Sequence, residues 1–200
     1  MDVFEAVEKR RAVKHYDASA EIQEDEFGKI MSAVLCSPTS YNIQNWRFVR
    51  VKDKDLRAKV KEAAWNQAQV TDAAELIIFC GNLNSWGDRP ERYWANADEK
   101  TRSMLVDMIK SFYSGKEQVQ RDEVMRSCGI AAQTLMLTAK AMGYDTCPMV
   151  GFDPDAVAKL INLPSGHVVA LMVAIGKVAK PAHPRGGQLS LSEVLIENKF

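Results

Sequence analysis

The sequence lacks the features by which a chain enters or crosses a membrane. Its longest apolar run, Val168–Ile175, has eight residues, whereas a helix needs about 20 to span a bilayer. The N-terminal segment MDVFEAVEKRR places acidic residues before its basic cluster and has no apolar stretch of a secretory signal. We therefore expect a soluble, cytoplasmic protein that has no membrane partner.

An excess of charge of one sign is also lacking, because 26 lysines and arginines are balanced by 26 aspartates and glutamates. A neutral chain has no electrostatic reason to bind nucleic acid, so no nucleic-acid partner is expected. The 46% hydrophobic content is too high for a disordered chain. Since no repeat, low-complexity segment or shift in composition appears, residues 1–200 are predicted to form a single domain.

Cysteine is scarce and widely spaced. The four cysteines are separated by 44, 48 and 19 residues, and no CxxC or HxxxH spacing occurs. This argues against a zinc site or a redox-active dithiol, and no metal site is predicted. Because each lies among apolar residues, all four are predicted to be buried, reduced, structural thiols. They are Cys36, Cys80, Cys128 and Cys147.

The glycines form none of the common cofactor or nucleophile motifs. The sequence contains no G-x-G-x-x-G, no G-x-x-x-x-G-K-S/T and no G-x-S-x-G. These absences argue against a classical nicotinamide dehydrogenase, a P-loop enzyme and an α/β-hydrolase. His15, His167 and His183 are scattered along the chain and are predicted to be surface or structural residues.

Helical and strand-like patterns alternate along the chain, which predicts an α/β or α+β domain. The predicted helices are Asp2–Arg10, Glu24–Cys36, Asp53–Gln67, Asp98–Tyr113, Arg121–Met142 and Pro154–Ile161. The predicted strands are Arg47–Val51, Glu75–Gly81 and His167–Gly176.

Two segments need more apolar cover than one small domain offers. The stretch Cys128–Met142 is apolar nearly all round a helix, which predicts burial on every side. The C-terminal tail adds an apolar alternation at Leu189, Leu191 and Val194. A second subunit is therefore predicted to cover both.

Three segments carry candidate binding chemistry, and each has an ordinary structural alternative. Lys9–Lys14 holds four cations in six residues, which suits either an anion site or a solvated helix end. Ser37–Trp46 is rich in hydroxyls and amides, which either cap a turn or hydrogen-bond a polyhydroxylated ligand. Pro148–Asp153 is a Pro/Gly turn where the backbone can approach a ligand closely.

In this order, the segments resemble motifs of the FMN-dependent nitroreductase family. Its RR-x-x-K/R-x-F/Y opening is matched by Arg10–Tyr16, and its S-P-S/T-S-x-N-x-Q-P-W-x-F block by Ser37–Phe48. An N-x-x-Q element is matched by Asn66–Gln69, a P-x-x-G-F-D turn by Pro148–Asp153, and a basic tail by Arg185–Leu195. The resemblance runs from the first helix to the C-terminus and is least specific over residues 82–120.

The resemblance implies an α+β protein with a three-layer α/β/α fold, a central, mostly antiparallel sheet and an intertwined homodimer. Residues 82–120 would be a variable lid, and residues 185–200 a tail that packs on the partner subunit. FMN would lie at the subunit interface and carry hydride from NADH or NADPH, by a ping-pong reaction, to a nitroaromatic, a quinone or a related small molecule. The alternatives are a dehalogenating or ring-modifying flavoenzyme of the same fold and a non-catalytic flavin-binding protein.

The same resemblance assigns positions around the flavin and implies no catalytic side chain, because the cofactor carries the chemistry. Arg10, Arg11 and Arg185 would hold the phosphate, whereas Lys14 would tune the ring. Asn66 and Gln69 would bond its pyrimidine edge, and the partner subunit would supply Ser40, Asn42 and Gln44. The Pro148–Gly151 turn, with Pro148, Val150 and Gly151, would place a backbone N–H near flavin N5.

Three residues depart from the family pattern. Ala12 replaces the usual serine after the two basic residues, so one hydroxyl on the phosphate side is missing. Asn45 stands where a proline is common before Trp46, and Val150 stands where many members have glutamate. Because the expected flavin contact at Val150 is made by the backbone, FMN binding is predicted to survive, whereas substrate preference near N5 is open.

Overall fold

Four strands form a central antiparallel sheet in the computed structural model, which describes the whole chain, Met1–Phe200. The strands of the molecule are β1 (His15–Tyr16), β2 (Trp46–Arg50), β3 (Glu75–Asn82), β4 (Asp145–Met149), β5 (His167–Gly176) and β6 (Val178–Lys180). The central sheet has the order β2-β3-β5-β4, and each neighbouring pair is antiparallel. The short strands β1 and β6 form a separate antiparallel pair.

Strand β3 shows why the sheet is covered on both faces. Its side chains alternate, so that Leu76 and Ile78 enter one apolar cluster, whereas Ile77 and Phe79 enter the other. All four are completely buried. A strand that is apolar on both faces must lie between two layers, and this confirms the predicted buried strand.

Helices lie on both sides of the sheet. They are α1 (Val3–Lys9), α2 (Glu24–Leu35), α3 (Lys54–Ala63), α4 (Gln69–Asp72), α5 (Glu99–Tyr113), α6 (Glu117–Ala141), α7 (Pro154–Leu160) and α8 (Leu191–Val194). The cluster on one face includes residues of α2 and α6, and the cluster on the other includes residues of α3, α4 and α7. The predicted α+β fold with three α/β/α layers is confirmed.

Aspartate caps explain where several helices begin. The side chain of Asp53 accepts a hydrogen bond from the backbone N–H of Leu56 at 2.7 Å, and Asp98 accepts one from Thr101 at 3.0 Å. Asp2 forms a capping box with Glu5 at the start of α1. Each cap satisfies a backbone donor that the first turn leaves unpaired. The predicted helices began at these caps, one residue before the first helical residue.

Helix α3 is shorter than the predicted Asp53–Gln67. It ends at Ala63, because Trp65 and Asn66 adopt positive φ angles of 55° and 59°. Left-handed backbone cannot continue a right-handed helix. The chain therefore turns at these two residues and starts the separate short helix α4 at Gln69.

Helix α6 begins at Glu117, four residues before the predicted start, and it is not covered all round by its own chain. Ile130 retains 43% of its exposure and Gln133 is also exposed. Helix α1 packs along α6 and leaves Val3 and Phe4 70% and 85% exposed. One side of this helix pair is thus an apolar surface in the single chain.

Strand β4 was not predicted, because Pro148 marks its sequence as a turn. Pro148 and Met149 belong to the strand and pair with Val173 and Met172 of β5. Proline is tolerated there because β4 is an edge strand, where one side of the backbone needs no sheet partner. The predicted turn is therefore confined to the residues that follow Met149.

Residues 82–120 form a small layer with its own apolar centre. A 3₁₀ helix over Pro90–Trp94 and helix α5 bring Tyr93, Ile109 and Tyr113 together, and Ile43 completes the cluster. The tail beyond Ala182 is exposed along its whole length, including the short helix α8. The prediction that this tail packs on a partner subunit stays a prediction.

Three of the four cysteines are buried as predicted. Burial raises the pKa of Cys80 to about 11 and that of Cys128 to about 12, and Cys147 is also buried. The prediction was wrong for Cys36, which is exposed at the C-terminal end of α2. The apolar stripe of that helix ends before Cys36, so the thiol lies outside the core.

None of the helices is both long and apolar enough to cross a membrane. No three His, Cys, Asp or Glu side chains are grouped closely enough to hold a metal ion.

Candidate functional site

The basic opening segment leaves α1 and runs beside strand β4. Arg10 caps the end of α1 with extended backbone. Ala12 then forms a parallel bridge with Thr146, and the N–H of Val13 donates to the Thr146 carbonyl at 3.0 Å. The buried Val13 side chain anchors the segment, and the side chains of Ala12 and Lys14 on either side of it are exposed. The backbone of Lys14 is thus held at a fixed position beside β4.

The start of the tail is tied back to this opening segment. The Arg185 guanidinium donates to the carbonyls of Glu8 at 2.8 Å and Arg10 at 3.4 Å. The guanidinium of Arg11 donates in turn to the carbonyl of His183. The structure therefore brings together Arg10, Arg11 and Arg185, which lie at opposite ends of the sequence.

These arginines and Lys14 form a cationic cluster without counterions. The cationic cluster, defined as Arg10, Arg11, Lys14 and Arg185, takes part in none of the nine ion pairs of the chain. Guanidinium and ammonium groups that lack a carboxylate partner are suited to bind an anion, above all phosphate.

Lys14 lies beside the thiol of Cys147 on β4. Burial raises the pKa of Cys147, whereas the positive charge of Lys14, its hydrogen bond to the thiol and the charge of Arg10 act in the opposite direction. The lysine therefore reaches the strand one residue before Pro148. This contact joins the opening segment to the Pro148–Gly151 segment.

An amide chain joins Gly151 to the turn after α3. Gln67 Nε2 donates to the Gly151 carbonyl at 2.7 Å, and Gln69 Nε2 donates to Gln67 Oε1 at 2.9 Å. A Cβ atom at Gly151 would lie 3.1 Å from the Trp65 ring, so the close approach favours glycine. The side chain of Asn66 is exposed, whereas Gln69 is only 3% exposed.

The remaining predicted residues lie in a strained loop at another place on the chain. Tyr41, Asn42 and Gln44 have positive φ angles of 50°, 55° and 40°. Such backbone is costly for residues other than glycine and persists only when neighbours hold it. This loop, Ser40–Gln44, is called the amide loop below.

Three of the hydrogen bonds that hold the amide loop fix its start, its centre and its end. The N–H of Ser40 donates to the Glu123 carboxylate at 3.1 Å, and Asn42 Nδ2 donates to the Tyr93 carbonyl at 2.8 Å. The N–H of Gln44 donates to Thr39 Oγ1 at 3.0 Å. Two of the three contacts come from α6 and from the segment over residues 82–120, so these elements set the shape of the loop.

The predicted site residues thus fall into two groups within one chain. The cationic cluster, Ala12, the turn after α3 and Pro148, Val150 and Gly151 form the first group, and the amide loop forms the second. No hydrogen bond joins the two groups. Gln67, Glu123 and Cys147 were not among the predicted site residues, and Cys147 was predicted only to be a buried thiol. Gln67 lies inside the recognised N-x-x-Q element, but nothing in the sequence marks the other two.

A family model described as "Nitroreductase family" matches residues 7–177. Protein DrgA of Synechocystis is 49% identical over 91% of this chain and 87% of its own. YodC of Bacillus subtilis, described as a candidate NAD(P)H nitroreductase, is 30% identical over 97% and 96% of the two chains. A crystal structure from Exiguobacterium sibiricum, described as a candidate nitroreductase in complex with FMN, superposes with a TM-score of 0.90, 25% identity and coverage of 98% and 97%.

Proposed function

Because the chain belongs to the nitroreductase family, we propose that it is an FMN-dependent oxidoreductase that moves electrons from NAD(P)H to nitroaromatics, quinones or related acceptors. The FMN-bound structure of similar fold supports the choice of cofactor. The description of YodC supports a nicotinamide donor.

The observation that carries the proposal is the cationic cluster without counterions. The cations of the opening segment and of the tail are held on one surface, because Arg11 donates to the His183 carbonyl and Arg185 donates to the carbonyls of Glu8 and Arg10. An anion bound there would offset their mutual repulsion. The FMN phosphate is such an anion. Arg10 would donate to its oxygens, and Arg185 would offer the N–H groups that its Nη2 bonds to the carbonyls of Glu8 and Arg10 leave free. Arg11, whose guanidinium already holds the His183 carbonyl, would act mainly through its charge.

The flavin ring would lie beside the end of β4, between Lys14 and the Pro148–Gly151 segment. Lys14 and the exposed amide of Asn66 would face the pyrimidine edge, whereas the buried Gln69, whose Nε2 donates to Gln67, would support the turn that carries Asn66. Gln67 fixes the Gly151 carbonyl, and so would hold the backbone of Pro148, Val150 and Gly151 against the ring. Ala12 has no hydroxyl and would offer only its backbone and its small size. These donors fit FMN.

When bound, FMN supplies the two-electron chemistry that no side chain of this site provides. The protein's own part is then to orient the ring, to neutralise negative charge with Lys14 and to leave one face open. The exposed Val150 side chain, with 78% of its surface accessible, would border that open face.

A homodimer would complete the site. The amide loop is built by its neighbours into a fixed shape, yet it shares no hydrogen bond with the cationic cluster of its own chain. In the proposed dimer, Ser40, Asn42 and Gln44 of one subunit would meet the cofactor that the other subunit holds. The exposed apolar surface of α1 and the exposed tail would form the interface.

Reconstitution with FMN tests the proposal directly. The purified protein is expected to bind one FMN per chain and, without oxygen, to oxidise more than one NADH or NADPH per flavin only when a quinone or a nitroaromatic acceptor is present. Initial rates at several acceptor concentrations should give parallel double-reciprocal lines, because donor and acceptor use one site in turn. A colourless protein that takes up no FMN would overturn the proposal. A protein that binds FMN but oxidises neither donor would be a flavin-binding protein instead.

A further inference from the structure

A cleft of about 440 Å³ lies beside the amide loop and carries two arginines. Gln44, Trp46, Arg47, Arg92 and Tyr93 line it, and no carboxylate does. Four other cavities of the chain each have at least one aspartate or glutamate on their walls. Walls of this charge favour an anionic group.

Arg47 is fixed in position and has free donors. Its Nη1 donates to the carbonyls of Gln44 at 2.9 Å and Trp46 at 2.8 Å, and no carboxylate pairs with it. A guanidinium has five N–H groups, so the Nε and Nη2 donors of Arg47 have no protein partner. Arginine held in this way loses little further freedom when it binds a ligand.

Arg92 adds a second guanidinium to the lining of the cleft. Its Nη2 donates to the hydroxyl of Tyr93 at 3.0 Å and contacts Asp88 only at 3.5 Å. That ion pair is long and partly exposed, so it neutralises little of the charge. The cleft keeps a net positive wall.

The position of the cleft identifies which substrate brings the anion. Gln44 belongs both to the cleft and to the amide loop, which in the proposed function reaches the cofactor of the partner subunit. Of the two substrates in that reaction, quinones and simple nitroaromatics are neutral, whereas NADH and NADPH carry a pyrophosphate. We infer that the Arg47–Arg92 cleft binds the pyrophosphate of NAD(P)H while its nicotinamide lies on the flavin. This inference rests on the proposed function.

The test compares hydride donors with and without phosphate. The variants Arg47→Gln and Arg92→Gln should each lower kcat/KM for NADH about tenfold, as expected for one charge-assisted contact at a partly exposed site. Reduction by 1-benzyl-1,4-dihydronicotinamide, which has no phosphate, should be unchanged in Arg92→Gln. Arg121→Gln makes the same charge change at an exposed position outside the cleft. It should leave kcat/KM unchanged for both donors.

A binding measurement makes the test independent of turnover. ADP-ribose carries the pyrophosphate without the nicotinamide, and calorimetry should show about tenfold weaker binding to each cleft variant than to the wild type. Arg92 is exposed, so its variant should keep its fold. If Arg47→Gln disturbs the Gln44 and Trp46 carbonyls that Arg47 holds, Arg47→Lys is measured beside it, because it keeps the positive charge in the cleft.

Three results would overturn the inference. One is an equal loss of kcat/KM with NADH and with 1-benzyl-1,4-dihydronicotinamide in Arg92→Gln. Another is no loss of kcat/KM with either donor. The third is a changed KM for 4-nitrobenzoate but not for nitrobenzene, because the cleft would then serve the acceptor. If neither donor reduces wild-type FMN, the proposed function fails, while ADP-ribose binding still decides whether the cleft takes a pyrophosphate.

Discussion

The carboxylate of Glu123 accepts a hydrogen bond from the backbone N–H of Ser40, 83 residues away in the sequence. The same carboxylate accepts from the Ser127 hydroxyl at 3.0 Å and pairs with Arg126. Glu123 is itself only 7% exposed. One buried side chain of α6 therefore sets the start of the amide loop.

Replacing Glu123 should loosen that loop. Glu123→Ala leaves the N–H of Ser40 without its acceptor, and the free energy of unfolding should fall by about 1–3 kcal/mol. Glu123→Gln keeps an acceptor oxygen and should cost about 1 kcal/mol or less. Urea denaturation gives both values, and FMN titration should show weaker binding in the same order. Glu62→Gln, at an exposed position, serves as the control. Equal stability of Glu123→Ala and the wild type would show that Glu123 does not hold the amide loop.

Arg10→Ala should weaken FMN binding most among the cationic cluster. A hydrogen bond to a charged group contributes about 1.5–3 kcal/mol, which corresponds to roughly a tenfold to hundredfold higher Kd. Arg11→Ala should cost less, because its guanidinium is held by His183. Lys9→Ala removes a neighbouring cation that pairs with Glu5 instead, and it should leave the Kd unchanged. Fluorescence titration of FMN decides, and an unaltered Kd for Arg10→Ala would exclude this arginine from the site.

Lys14→Ala should lower the FMN midpoint potential, because reduction adds negative charge to the ring edge that Lys14 would face. At about 4–5 Å and an effective dielectric constant near 20, the Coulomb energy is roughly 3–4 kcal/mol. Solvent screening leaves about 1–3 kcal/mol, or roughly 20–65 mV for a two-electron couple. Spectroelectrochemical titration measures the shift. Lys14→Arg keeps the charge and should restore most of the potential, whereas a midpoint that Lys14→Ala leaves unchanged would make Lys14 a surface charge only.

Sedimentation should find a dimer of the 22.3-kDa chain. Val3, Phe4 and the tail residues Leu189 and Leu191 are between 69% and 85% exposed in the single chain, and large apolar surfaces of this kind are normally covered. We expect a total buried area above about 2,000 Å², in the obligate class. Removal of residues 189–200 should shift the protein toward monomer and release FMN together. A folded monomer that retains FMN would contradict both expectations.

Thiol titration should find one reactive cysteine per native chain. Cys36 is exposed, whereas burial raises the pKa of Cys80 to about 11 and that of Cys128 to about 12. The thiolate is the reactive form, so at pH 8 the buried thiols should react only after unfolding. Cys36→Ser should abolish the fast reaction with a disulfide reagent and leave three slow thiols. A fast phase that persists in this variant would show that a buried cysteine becomes accessible.

The sequence allowed the central strands to be predicted, because the apolar runs that form β3 and β5 have no other stable place than the interior of a sheet. The end of α3 could not be predicted in the same way. Trp65 and Asn66 take left-handed backbone where the N–H of Asn66 donates back to the Lys61 carbonyl, and neither is the glycine that usually marks such a helix end. Strand β4 was hidden by Pro148, whose usual meaning as a turn residue is overridden at a sheet edge.

The candidate site was predictable in its residues but not in its connections. Family motifs supply Arg10, Lys14 and Gly151, since each lies in a contiguous pattern. The contact between Gln67 and Gly151 spans 84 residues and depends on two loops meeting in space. No local pattern encodes such a contact, so the residues that hold the site in shape emerge only from the fold.

The separation of the cationic cluster from the amide loop has a genetic consequence. In the proposed homodimer, each chain gives the cluster to one cofactor and the loop to the other. A subunit damaged at Arg10 and a subunit damaged at Asn42 would then pair to give one doubly damaged site and one intact site. Random assortment of two such inactive alleles in equal amounts would restore about one quarter of the wild-type sites. Complementation between alleles of a single gene would thus report how the two halves are shared.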